Sequence, residues 1–106
     1  MPFWRIRENW QITFKTTHHL HLLVREGFFR DTILLYLDDQ QVVNAHAGIN
    51  GWHGYTLFEI DGRTVALRWA WSLLSGNPKS IVITHKGRIL AQYGSDQAAD
   101  DVILED

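Results

Sequence analysis

The chain contains no cysteine. Disulfide staples, thiolate metal sites and thiol nucleophiles are excluded with it, and a reducing compartment suits such a chain. Long apolar runs are missing too. Stretches such as Ile33–Leu37 span a few residues, where a membrane-crossing helix needs about 20. Residues 1–7 lack the apolar segment and small-residue cleavage site of a signal peptide. The expectation is a cytoplasmic protein without membrane association. No strong basic bias is present either, so nucleic acid is not an expected partner. None of Ser72, Ser75, Ser80 and Ser95 sits in a Gly-x-Ser-x-Gly elbow, and no glycine-rich phosphate loop opens a helix.

What remains is the composition of one small globular domain. The chain has 106 residues, 45% of them hydrophobic and 21% charged, enough for one core and too short for two ordinary domains. Five of the twelve acids fall in residues 96–106: Asp96, Asp100, Asp101, Glu105 and Asp106. The expected layout is therefore a β domain over residues 1–95, with an N-terminal arm at 1–9. An acidic tail follows at 96–106, with a short helical turn within residues 98–104.

Period-two alternation dominates the domain. Trp10, Ile12 and Phe14 form one apolar row; Leu20, Leu22 and Val24 form another. Val65, Leu67, Trp69 and Trp71, then Ile81 and Ile83, then Ile89, Ala91 and Tyr93 continue it. Successive strand side chains point to opposite faces, so each row faces a core. Residues 33–37 are apolar on both faces, which predicts a central strand. Helical periodicity is confined to the tail and, weakly, to residues 70–74.

Tight polar pairs separate the rows. Asp61-Gly62 between two β runs is a strong type I′ hairpin signal, because both central residues need positive φ. Lys86-Gly87 is a weaker version, and Asp38-Asp39, without glycine, predicts a longer or bulged turn. These hairpins, with a fourth across residues 16–18, predict about eight short strands in consecutive hairpins. The fold class is all-β, an antiparallel sandwich or a small barrel.

The segments 36–43 (Tyr-Leu-Asp-Asp-Gln-Gln-Val-Val) and 57–63 (Leu-Phe-Glu-Ile-Asp-Gly-Arg) resemble the repeated strand–Asp-Gly–strand hairpins of the Fas apoptosis inhibitory molecule (FAIM) family. Residues 21–24, a glycine-containing gap and residues 33–37 stand in a similar order. The resemblance runs from about Gln11 to Trp71. It implies a compact, non-enzymatic β-sandwich working through protein contacts, and brings no catalytic motif or cofactor.

The candidate binding residues are aromatic. Trp52 lies in a glycine-rich linker, residues 47–54, with His53 and Tyr55 beside it. An indole there suits a partner or a ring-shaped ligand. Trp4, with Phe3 and Ile6, is expected to pack an arm on the domain or dock on another subunit. His19 and His21 share a strand face and are the candidates for a metal platform, which needs a third ligand; the alternative is a solvated polar face. Asp38, Asp39, Glu59 and Asp61 supply carboxylates for glycoside chemistry, but turns favour Asp for backbone reasons. Three functions follow in order: a protein-interaction module, with a protein partner or homodimer; a sugar- or base-stacking domain; a histidine-based metal enzyme. Neither of the first two needs a cofactor. Trp52 separates them: a groove with polar groups favours a ligand, a flat apolar patch a protein.

Overall fold

The computed structural model describes residues 4–28, 30–48, 52–72 and 76–94. The expected acidic tail and its helical turn lie outside them, as do Phe3 and residues 49–51 of the glycine-rich linker. The described residues form eight strands: β1 (Trp4–Thr13), β2 (Thr17–Arg25), β3 (Arg30–Leu37), β4 (Gln40–Gly48), β5 (His53–Ile60), β6 (Arg63–Trp71), β7 (Pro78–His85) and β8 (Arg88–Gly94). Residues 4–9, expected as an arm, are the first part of β1. Ala70 and Trp71, within the weak helical stretch, end β6.

Two four-stranded antiparallel sheets result, ordered β1-β2-β3-β4 and β5-β6-β7-β8. Of the two expected architectures this is the sandwich, not the barrel, since among the described residues no ladder joins one sheet to the other. β1 faces β8, and β4 faces β5 and β6. No helix among the described residues is long and apolar enough to cross a membrane.

The core follows the alternating rows. Leu20, Leu22 and Val24 of β2, Ile33 and Leu35 of β3, Val65 and Leu67 of β6, and Ile81 and Ile83 of β7 are wholly buried. Each such side chain contributes about 1.5–3 kcal/mol relative to exposure. Residues 33–37 are central, as expected: β3 has a neighbour on each side. Trp69 needs room that its cross-strand partner supplies. It faces Gly54, where a Cβ atom would stand 2.4 Å from the indole Cζ2.

The turns close pairs Leu37 with Gln40, Ile60 with Arg63, and His85 with Arg88. Their central residues all have positive φ: 49° and 70° at Asp38 and Asp39, 53° and 78° at Asp61 and Gly62, 52° and 78° at Lys86 and Gly87. The Asp38-Asp39 turn is thus as tight as the other two, contrary to expectation. Aspartate tolerates the left-handed region better than most residues. The bulge lies beyond the turn, at Val42, where β4 advances two residues for one of β3. An equivalent bulge at Leu90 of β8 takes Ile89 out of the predicted inward row, while Ala91 is buried and Tyr93 packs against the core as expected. Ile89 is 45% exposed, and Leu90 packs against the core in its place.

Those two bulges reveal a repeat. Ile33, Leu35, Asp38 and Val42 correspond to Ile81, Ile83, Lys86 and Leu90, each 48 residues later. The recurring hairpins belong to a repeated four-stranded sheet.

Asp39 alone occupies the second turn position without glycine. Asp39→Gly is expected to raise stability by about 0.5–1 kcal/mol, relieving a left-handed conformation at the cost of some unfolded-state entropy. Urea unfolding would show a higher midpoint at unchanged slope; an unchanged or lower midpoint would contradict it.

Candidate functional site

An up-and-down meander places all hairpin turns at one end of the sandwich. The other end carries the β2–β3, β4–β5 and β6–β7 connections, and a cleft of about 280 Å³ opens there. Its aromatic walls are Phe28, Trp52 and Trp71; its charged groups are Arg5, Glu26, Arg30 and Asp31.

Asp31 is the anchor. It continues the inward row of Ile33 and Leu35 by two residues, so β3 carries a carboxylate into the mouth of the core. Asp31 is 4% exposed. It accepts hydrogen bonds from Trp71 Nε1 at 2.9 Å and from the Gly27 backbone N–H at 3.3 Å, and forms an ion pair with Arg5 Nε at 3.1 Å. Arg5 is the extra residue of a bulge in β1, between Trp4 and Ile6. Its Nη1 donates to Asn77 Oδ1 at 2.7 Å and its Nη2 to Glu26 at 3.2 Å. Asp31 and Arg5 of the first sheet therefore grip Trp71 and Asn77 of the second.

Trp52 is half-buried and packs against the core, and its carbonyl accepts the Trp71 N–H at 2.6 Å. It is therefore not the solvated loop indole that its glycine neighbours suggest. His53 and Tyr55 lie on the outer face of the second sheet. Tyr55 is 59% exposed, with the Arg68 guanidinium 5.2 Å from its ring. Trp4 is half-buried at the start of β1, with Arg7 5.8 Å from its ring. Among the four aromatic candidates, only Trp52 lines the cleft. Asp31, Arg5 and Arg30 were not anticipated. Asp31 was legible as an acid in line with an apolar row; the bulge that turns Arg5 inward leaves no comparable pattern.

His19 and His21 do share an outward face, with ring centroids 6.3 Å apart. His19 Nε2 bonds Asn9 Oδ1 at 3.0 Å, and His21 lies beside Tyr36. Among the described residues, no three His, Cys, Asp or Glu side chains are grouped to hold a metal ion.

The turn end has its own polar cluster, centred on His18. Its Nδ1 meets Asp38 Oδ2 at 2.6 Å and its Nε2 meets Asp61 Oδ1 at 3.0 Å. Asp38 is the first residue of the β3–β4 turn and Asp61 of the β5–β6 turn, so one imidazole joins both sheets. Asp38 Oδ1 also accepts from the His19 N–H, and Asp61 Oδ2 from the N–H groups of Lys15 and Thr16. Beside them, Phe14 of the β1–β2 loop rests edge-on against His85 and beneath Arg63.

Hydrogen bonds to Asp38 and Asp61, helped by their charges, raise the His18 pKa above 6.5 despite some burial. Bonding to His18 and the His19 N–H lowers that of Asp38 below 3.8. On Asp61 burial pushes upward, but His18, Thr16 and Lys15 together outweigh it and the net shift is downward. The arrangement is an imidazolium between two carboxylates. Two of the four carboxylates that glycoside chemistry would draw on are thus engaged in joining the sheets.

The signs set a pH window. His18 contributes fully below its unfolded value of 6.5, and that contribution is lost as pH rises through its raised folded value. The aspartates contribute above 3.8, and lose it as pH falls through their depressed values. Stability measured by urea unfolding should therefore fall from pH 6 toward pH 9 in the native chain and stay flatter in His18→Gln; parallel profiles would rule out the imidazolium clamp. At the cleft end, Asp31→Ala strands the Trp71 N–H and Arg5, and should cost about 3–5 kcal/mol. A loss below 1 kcal/mol in the same assay would show that Asp31 is not an anchor. In comparisons with known proteins, the chain matches no family model, no curated protein and no solved structure.

Proposed function

We propose that the protein is a non-enzymatic binding module that stacks one ring, the apolar face of a sugar or a base, in the Trp52 cleft. The carrying observation is that Trp52 lies in a concave site with charged groups around it, rather than on a flat apolar patch. Ligand sites combine apolar walls with a few placed polar groups, in volumes of about 300–1,000 Å³. At about 280 Å³, this cleft suits a single ring. Asp31 and Arg5 already hold each other, which leaves Arg30 at the rim to meet an acidic substituent. The enclosed polar groups bind structure rather than a reacting atom, which supports a role without catalysis.

A protein contact is the second reading. The FAIM-like hairpins point toward it, as does the edge of β5. Bulges interrupt the other three edge strands, at Arg5 of β1, Val42 of β4 and Leu90 of β8. Such bulges blunt strand addition. The β5 ladder has no register shift, so a homodimer or an extended peptide would pair there.

The Trp52 indole resonance reports on both readings. Adenosine and guanosine monophosphates, N-acetylglucosamine and glucuronate are the probes. One class is expected to shift that resonance with a Kd between about 1 μM and 1 mM, with at least tenfold weakening in Arg30→Ala; for Trp52→Ala, which lacks the reporter, titration calorimetry is expected to show no binding. No shift with any probe, together with loss of a captured cellular protein in Trp52→Ala, would transfer the site to protein recognition.

A further inference from the structure

The outer face of the second sheet is built differently from its counterpart. On β2 and β3 the outward positions His21, Arg25, Thr32, Leu34 and Tyr36 all keep some exposure. Their equivalents in the repeat, on β6 and β7, are Ala66, Ala70, Ser80, Val82 and Thr84, while the sixth outward pair runs the other way, Leu23 matching the larger, half-buried Arg68. Each of the five is smaller than its counterpart, and all five are 0% exposed. Ala70 and Val82 form a buried apolar pair separate from the main core.

A trough of small residues should be more open to water than the bulky face it matches. Complete exclusion of all five, outside a two-layer sandwich, calls for a cover. The rim is left apolar, with Tyr55, Leu57 and Ile89 at 59%, 51% and 45% exposure. Both described layers are already used, so the cover comes from chain beyond them.

We infer that residues 96–106 dock across this trough, and that the partner of this face is the protein's own C-terminal segment. Length decides among the candidates. The other segments outside the described residues are 1–3, 29, 49–51 and 73–75; three residues reach at most about 11 Å, which spans little more than two strands. Twelve residues follow Gly94, whose strand forms an edge of this sheet. Crossing from β8 to β5 takes about 14 Å, within reach of twelve residues whether helical or extended. Chemistry agrees. Ala98, Ala99, Val102, Ile103 and Leu104 supply apolar surface, and the segment carries five acids against no base. Residues 1–95 carry ten bases against seven acids, and Arg68 stands on the face itself, beside Tyr55.

The absence of cysteine makes the test clean, because Asp106→Cys accepts a single nitroxide label. In the full chain, the amide peaks of Ala66, Val82 and Thr84 should lose most of their intensity, while those of Leu23 and Leu34 on the opposite outer face keep theirs. Adding Ile103→Asp and Leu104→Asp should restore the lost peaks. Equal effects on both faces, or none, would overturn the inference. So would loss of the same peaks in unlabelled, isotope-enriched protein mixed with labelled protein, because the occupant would then be a second copy.

Discussion

One covalent crossing joins the two sheets, between β4 and β5, and the architecture depends on that economy. Each sheet is completed by consecutive strands before the chain leaves it. Among the described residues no strand is shared and no ladder bridges the layers, so their contacts between the sheets act face to face. Apolar packing supplies most of that attraction without direction. Orientation comes from polar contacts at the ends: Asp31 with Arg5, Trp71 and Asn77 at one, His18 with Asp38 and Asp61 at the other.

These end clusters engage chemically promising residues in contacts that join the two sheets. A carboxylate between an indole N–H and a guanidinium has its lone pairs engaged. An imidazolium between two carboxylates has no free nitrogen with which to take a proton. What stays accessible is the surface around these anchors. The proposed ligand site is a wall of rings with a charged rim.

The fold was largely legible because its strongest signals are local. Alternation identified the inward rows on β2, β3, β6 and β7, and Asp61-Gly62 and Lys86-Gly87 marked tight turns. Bulges defeated the rest, since one inserted residue reverses which face a strand presents. That is how Ile89 went outward and Leu90 inward. The site was less legible because its members are distant in sequence. Trp52 was visible as an indole among glycines, but its packing depends on Trp71. Asp31, an acid continuing an apolar row, carried a signal that could be read. Arg5 carried none, because its direction comes from a bulge.

The non-interleaved topology also shapes how the chain finds this structure. Every strand pairs only with its immediate neighbours in sequence, and the widest pairing, Trp4 with Arg25, closes within the first hairpin. Loop-closure entropy is therefore small at every step, and contact order is low for an all-β protein. Each half can zip up as a succession of hairpins without waiting for the other. The late event is the docking of two preformed sheets, when the end anchors first meet their partners, and it is there that a folding barrier would be concentrated.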